Sequence, residues 1–188
     1  MVDPPWLSSQ QTNTTVRPKK KNSPAFFAIA RPRDGTLPAT RIQAAPSTST
    51  DMGYLLDTDV LSESSKAIPN EKVMSWLDAH DHEIYLSTIS YGELVKGIEL
   101  LAPGKRRKQI AAWFDRLNHW AADRLLPPST EVMRTWGQLC AKYERKGRRL
   151  PVLDSLIAAT AITHGHRLVT RNTSDHPTEI TLINPWEM

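Results

Sequence analysis

Short apolar runs alternate with longer helical stretches along residues 52–188, and that alternation leaves few folds open. YLL (54–56), EIYLS (83–87), RLL (124–126), RLVT (167–170) and ITLIN (180–184) have the length and composition of buried strands. Residues 70–79 (NEKVMSWLDA) read as a helix with Asn70 as its N-cap. Leu94, Ile98 and Leu101 fall on one face of a second helix, which Pro103-Gly104 ends. A third helix over roughly 105–121 turns Ile110, Trp113, Phe114 and Leu117 inward, and a fourth over 130–146 is stopped by Gly147. Pro151 suits the first turn of a fifth, striped by Leu153, Leu156, Ile157 and Ala161, with Thr160 as its polar member. Strands alternating with helices imply an α/β fold: a central, mostly parallel sheet covered on both faces.

The net charge of +4 is not spread evenly. Residues 1–51 hold seven of the 24 Lys/Arg, three of the 20 Asp/Glu and seven of the 14 prolines; residues 52–188 are therefore balanced at 17 of each sign. The leading segment shows no helical or strand periodicity, so it reads as a disordered Pro/Ser/Thr/Lys/Arg-rich extension. Its AFFAIA run (25–30) is too short for the apolar core of a secretory signal. It reads either as a basic arm for nucleic acid or as an over-called start, with Met52 as the natural first residue. No apolar run reaches the roughly 18–20 residues of a membrane span. Cys140 is the only cysteine, which excludes a disulfide framework and fits a cytoplasmic setting.

Four carboxylates stand just beyond the apolar runs: Asp57, Glu93, Asp154 and Asp175. Asp57 closes the first strand, Glu93 and Asp154 are expected in first helical turns, and Asp175 follows RLVT by five residues. Open parallel sheets bind ligands beyond the carboxyl ends of their strands, where these four can meet. Alone, Glu93 or Asp154 reads as an acid favoured by a helix dipole, Asp57 as a strand-end turn residue and Asp175 as a loop acid. Together they make a crowded anionic site, and like charges resist ionising together unless a cation is present. Oxygen-only ligands favour Mg²⁺, or Mn²⁺, over zinc. The pairs His80/His82 and His164/His166 flank loops without partners at metal-ligand spacing and are expected to be solvated.

LLDTDVLSE (55–63), LSTISYGELVKGIELL (86–101), PVLDSLIAATAITHG (151–165), LVTRNTSD (168–175) and LINPWE (182–187) together resemble the PIN-domain ribonucleases. The likeness is to VapC-type toxins of toxin–antitoxin pairs, in the FitB or plasmid-stabilisation branch. It implies a Rossmann-like α/β/α sandwich over 52–188 that hydrolyses RNA with Mg²⁺ or Mn²⁺. The family's catalytic and metal-site acids map onto Asp57, Glu93, Asp154 and Asp175, with Asp57 and Asp154 as direct ligands. Asp59 maps onto an outer-shell position, and Asn172 onto the polar residue that buttresses the site. The family usually places an aromatic after the last acid, where this chain has His176-Pro177. Implied partners are an RNA substrate, a small antitoxin whose C-terminal segment lays an Arg or Lys in the acidic groove, and a second copy in a homodimer. A toxin–antitoxin hetero-oligomer would follow.

The expected chemistry is metal-assisted hydrolysis by water, leaving a 5′-phosphate and a 3′-hydroxyl. Lys105-Arg106-Arg107-Lys108 and Arg145-Lys146-Gly147-Arg148-Arg149 could follow the RNA backbone or could be solvated helix ends. The second cluster (Arg145, Lys146, Arg148, Arg149) precedes the Asp154 helix and is the better candidate. Trp76, Trp113 and Trp136 sit on apolar stripes and are expected in the core, Trp186 is expected to pack back on the sheet, and Trp120 is left open. Two rival functions remain. DTD after a strand also opens the haloacid-dehalogenase phosphatases, which need a later lysine and a paired-acid loop. A chain of this family could also act chiefly as the dimerising partner of a DNA-binding antitoxin in an autorepressor complex.

Overall fold

The computed structural model describes residues 52–188; the readings that fall on 1–51, including the AFFAIA run, lie outside the described residues. Five strands form one sheet: β1 (Tyr54–Leu56), β2 (Ile84–Ser87), β3 (Leu125–Leu126), β4 (Arg167–Val169) and β5 (Leu182–Ile183). Every neighbouring pair is parallel, in the order β3-β2-β1-β4-β5. From β1 the chain builds outward through β2 and β3, then returns to the other side of β1 for β4 and β5. Strand order therefore reverses between β1 and β4, the position where sheets of this type open a crevice at their carboxyl ends.

Alternation along the strands divides the core into two layers. Leu56, Leu86 and Val169 lie in register and share one apolar cluster. That layer is completed by Val60 and Leu61 of α1 (Thr58–Glu63), Val73, Trp76 and Leu77 of α2 (Glu71–Ala79), and Trp113, Leu117 and Trp120 of α4 (Lys105–Trp120). Leu55 and Leu168, paired across the same strands, enter the opposite layer with Ile157, Ala158 and Ala161 of α6 (Val152–His164). The helix α3 (Thr88–Glu99) gives Leu94 to the first layer and Ile89 to the second, while α5 (Thr130–Glu144) packs on α6.

Local chemistry sets the helix starts. Asn70 accepts the Lys72 and Val73 N–H groups, Ser87 the Ile89 N–H, and Ser129 the Val132 N–H. Such caps contribute about 1 kcal/mol each. Gly165, at φ 68°, closes α6 in the left-handed conformation that favours glycine.

Several expectations need correction. The helix α1 was not foreseen, because six residues are too few for a periodic stripe to register. Pro151 is the N-cap of α6 rather than a residue of its first turn, with an extended ψ of 137°. Leu153 is exposed, since α6 turns Ile157, Ala158 and Ala161 to the sheet instead. Trp136 is half-buried because its indole N–H turns to Ser155 Oγ at 3.0 Å. Trp76 and Trp113 are in the core, Trp120 joins them, and Trp186 packs against the first layer.

Two histidines expected in solvent are also placed otherwise. His80 stacks on Trp76, with ring centroids 4.3 Å apart. His166 is buried, stacks on Tyr85 at 4.4 Å, and its Nδ1 accepts the Gly53 N–H at 3.1 Å. Gly53 is required there, because a Cβ would lie 2.7 Å from the Glu83 carbonyl oxygen and the Tyr85 ring.

Burial, helped by the neighbouring His164, lowers the His166 pKa from 6.5 to about 4. The folded protein therefore keeps this ring neutral where the unfolded chain takes up a proton, and stability declines as pH falls from about 6.5 towards 4. Glutamine can accept the same N–H and does not titrate. Thermal melts between pH 7 and pH 4 should show a smaller loss of midpoint for His166→Gln than for the wild type. Parallel curves would remove His166 as the cause.

Candidate active site

Asp57 is fixed by the end of β1 and the start of α1. Its backbone N–H donates to Val169 O at 2.9 Å, across the seam where strand order reverses. Its extended conformation lets the side chain cap α1, Oδ1 accepting the Thr58 N–H at 2.7 Å. Oδ2 accepts the Thr170 hydroxyl at 2.8 Å and lies 3.4 Å from His176 Nε2. Burial alone would push this carboxyl up. The hydrogen bonds from His176, Thr170 and the Thr58 N–H outweigh burial and hold it below the usual carboxylate range.

Thr58 joins a second acid to the first, since its hydroxyl donates to Glu93 Oε2 at 2.5 Å. Glu93 stands in the second turn of α3, not the first, because the Ser87 cap starts that helix at Thr88. Asp154 is in the first turn of α6, as expected. Its carboxyl is raised above the usual range, chiefly by burial and then by repulsion from Asp57, Glu93 and Asp175, with His176 opposing. All four acids thus share one electrostatic field at the carboxyl end of the sheet. Asp175 lies in the loop after β4, where Asn172 Nδ2 donates to its Oδ2 and Ser174 Oγ to its Oδ1. Those bonds, Asn172 first, hold its carboxyl below the usual range.

Asp59 borders the same space. Its Oδ2 accepts the Arg171 N–H at 2.9 Å, while Oδ1 is buried without a hydrogen-bond partner among the described residues. Burial, with repulsion from Asp57, pushes its carboxyl up. The set therefore fits a hard divalent cation: carboxylate oxygen donors, one orphaned buried oxygen, and two carboxyls raised first by burial and then by repulsion from Asp57. Among the described residues no three His, Cys, Asp or Glu side chains already form a closed ligand group, so the acids share a field without being drawn onto one point.

The basic candidates separate. Arg148 is engaged: it donates to Ser174 O at 2.7 Å and its guanidinium lies 5.4 Å over the Tyr143 ring. Arg145, Lys146 and Arg149 are exposed, with Lys146 Nζ 5.8 Å over the same ring. In the other cluster Arg107 is tied to Glu99 at 2.5 Å. Thr58, Thr170 and His176 were not singled out in advance as contacts of the site. A hydroxyl beside each strand-end motif was the available signal, and His176 stood out only as a departure from an aromatic. Among the described residues the side-chain partners of Asp57 are Thr170 and His176, with no lysine, so these contacts do not support a phosphatase arrangement.

An all-parallel sheet flanked by helices, with acids beyond the carboxyl ends of its strands where strand order reverses, places the chain in the Rossmann-like α/β class. The PIN-domain profile matches residues 54–174, and the chain belongs to the PIN-domain family. VapC ribonuclease Y4jK of Sinorhizobium fredii is 37% identical over 139 residues, covering 71% of this chain and 97% of that protein. Toxin FitB of Neisseria gonorrhoeae is 35% identical over 135 residues, covering 70% and 97%. A solved structure of FitAB bound to an IR36 DNA fragment aligns with a TM-score of 0.67 at 32% identity, covering 72% of this chain and 96% of that one.

The raised Asp154 carboxyl carries a stability consequence. A carboxyl whose folded pKa exceeds its unfolded value costs the fold stability as pH rises through that interval. Asp154→Asn should therefore melt at a higher temperature than the wild type at pH 7 in EDTA. The gain should shrink as pH falls towards the ordinary value of 3.8 and be gone below it. A lower melting temperature at pH 7 would show that the charge is not a burden on the fold.

Proposed function

We propose that this protein is the ribonuclease toxin of a type II toxin–antitoxin pair, cleaving RNA phosphodiesters in the cytoplasm with Mg²⁺ or Mn²⁺. The observation that carries the reading is the shared field of Asp57, Glu93, Asp154 and Asp175 at the switch point of a PIN domain. Ribonuclease and toxin names among relatives at 35–37% identity support it.

Asp57 and Asp154, with Glu93 and Asp175, would hold the cation. When bound, such an ion supplies Lewis acidity, lowering the pKa of water and neutralising charge on a departing oxygen. The protein's part is to keep the donors charged and still. Thr58 N–H and Thr170 hold Asp57 ionised and oriented, and Oδ1 keeps a lone pair beyond its single hydrogen bond. The Thr58 hydroxyl sets Glu93 relative to Asp57. Asn172 and Ser174 hold Asp175 in its loop. Arg145, Lys146 and Arg149 are exposed a few residues before α6 and would meet the backbone of the RNA.

An antitoxin segment that lays an Arg or Lys among these acids would neutralise the same charge surplus, which gives the partner its chemistry. Homodimers, and a hetero-oligomer with the antitoxin, complete the proposal. A second reading draws on the DNA-bound FitAB structure: the chain serves mainly as the dimerising half of an autorepressor complex. The two readings separate on turnover.

Purified protein should cleave mixed RNA with Mg²⁺ or Mn²⁺ and not in EDTA, leaving 5′-phosphate ends. Asp57→Asn should lose at least about 100-fold in rate. Thr170→Val, which removes only a support of Asp57, should lose about 10–100-fold. Wild-type protein inert towards RNA in every metal, yet retained on operator DNA through its antitoxin, would leave the autorepressor reading standing. Cyclic 2′,3′-phosphate ends would exclude attack by water.

A further inference from the structure

The acidic rim consists of two halves held in different ways. Asp57 and Glu93 are tied to each other, since Thr58 bonds both. Asp154 and Asp175 share no such link, but the segments that carry them are both bonded to α5. Near the middle of α5, Trp136 Nε1 donates to the hydroxyl of Ser155, the residue beside Asp154, at 3.0 Å. At its C-terminal end Tyr143 is only 5% exposed. The Tyr143 hydroxyl accepts the Thr178 N–H at 2.8 Å and donates to Glu179 Oε2 at 2.9 Å. Lys142 Nζ pairs with Glu179 at 2.5 Å. Just past the helix, Arg148 spans the Tyr143 ring and takes the Ser174 carbonyl at 2.7 Å.

These contacts grip both ends of the segment 174–179, which carries Asp175 and His176 between them. The segment has no strand or helix of its own, so side-chain bonds place it: these at its ends, and within it Asn172 and Ser174 on Asp175 and the approach of His176 to Asp57. Buried phenol hydroxyls need partners, and this one is used to hold a loop backbone rather than to satisfy its own helix. The neighbouring helix α6, which brings Asp154, packs on the same α5. One helix therefore refers both acids to a common frame.

We propose that Tyr143 is a positioning residue: its hydroxyl pins the 174–179 segment to α5 and so sets where Asp175 stands relative to Asp154. The proposal rests on the metal-dependent reading above and gives it a part remote from the acids. It also assigns Arg148 to the same clamp, taking it out of the surface offered to RNA. Removing a support of this kind typically lowers metal affinity about 10–100-fold.

The test uses Tyr143→Phe, Asp175→Asn and the double variant of the full chain. Mn²⁺ affinity is followed by electron paramagnetic resonance, and exchange of the Thr178 amide by hydrogen–deuterium exchange. Phenylalanine keeps the ring under Arg148 and deletes one oxygen, so the fold is retained. Tyr143→Phe should speed Thr178 exchange and weaken Mn²⁺ binding about tenfold. In the Asp175→Asn background it should weaken Mn²⁺ binding no further, because the effect passes through Asp175. A merely structural tyrosine would lower the melting temperature with Mn²⁺ affinity unchanged, or would lower affinity equally in both backgrounds; either result overturns the proposal. Asp175→Asn binding Mn²⁺ like the wild type would overturn it too. Should the wild type bind no Mn²⁺, the metal reading above falls, and unchanged Thr178 exchange would then remove the clamp as well.

Discussion

The pairing of β1 with β4 is the contact on which the rest depends. It brings together two segments 113 residues apart, joining Asp57 N–H to the Val169 carbonyl and the Thr170 hydroxyl to the Asp57 carboxylate. Chain order reverses at this seam, so no crossover helix covers it from above. A side chain at the end of β1 can therefore be buried among hydrogen-bond donors and still open onto solvent. Were β1 paired with its sequential neighbours alone, Asp57 would lose Thr170, one of the donors that offset its burial.

The acid cluster sets the fold against its own electrostatics. Asp57 is well supplied with donors, but Asp59 and Asp154 are held above the usual carboxylate range by burial and then by repulsion from Asp57, with Glu93 and Asp175 adding to it at Asp154. Local rules are broken where a site needs them broken, and the offset comes from elsewhere. Here it comes from two well-filled apolar layers in which Leu55, Leu56, Leu61, Leu77, Leu86, Ile157 and Leu168 are almost wholly buried. Burying a leucine or isoleucine contributes roughly 1.5–3 kcal/mol.

Much of this was legible in the sequence because the decisive signals are local. An apolar run followed by an acid marks a strand end, and Asn70 marks a helix start, without reference to anything distant. The position of Glu93 was misread by one turn because the Ser87 side chain, not the apolar stripe, decides where α3 begins. What stayed hidden is tertiary. Nothing near His166 in the chain announces that Gly53 will offer it an N–H, and nothing near Trp136 announces Ser155. His176 could be noticed only as an oddity; its approach to Asp57 follows from the path of a loop that has no periodicity to read.

Gly53 sits against the Glu83 carbonyl and the Tyr85 ring with no room for a side chain, and its amide and carbonyl are both taken, by His166 and Arg167. Met52, directly before it, is 61% exposed. The sheet is parallel, so β1 enters at the rim away from the carboxylates, about 10 Å from its far end. A fluorophore or affinity handle joined at residue 52 would accordingly sit at the back of the molecule. Labelling there leaves the working face clear, whereas one residue further on it would pry the first strand from its neighbours.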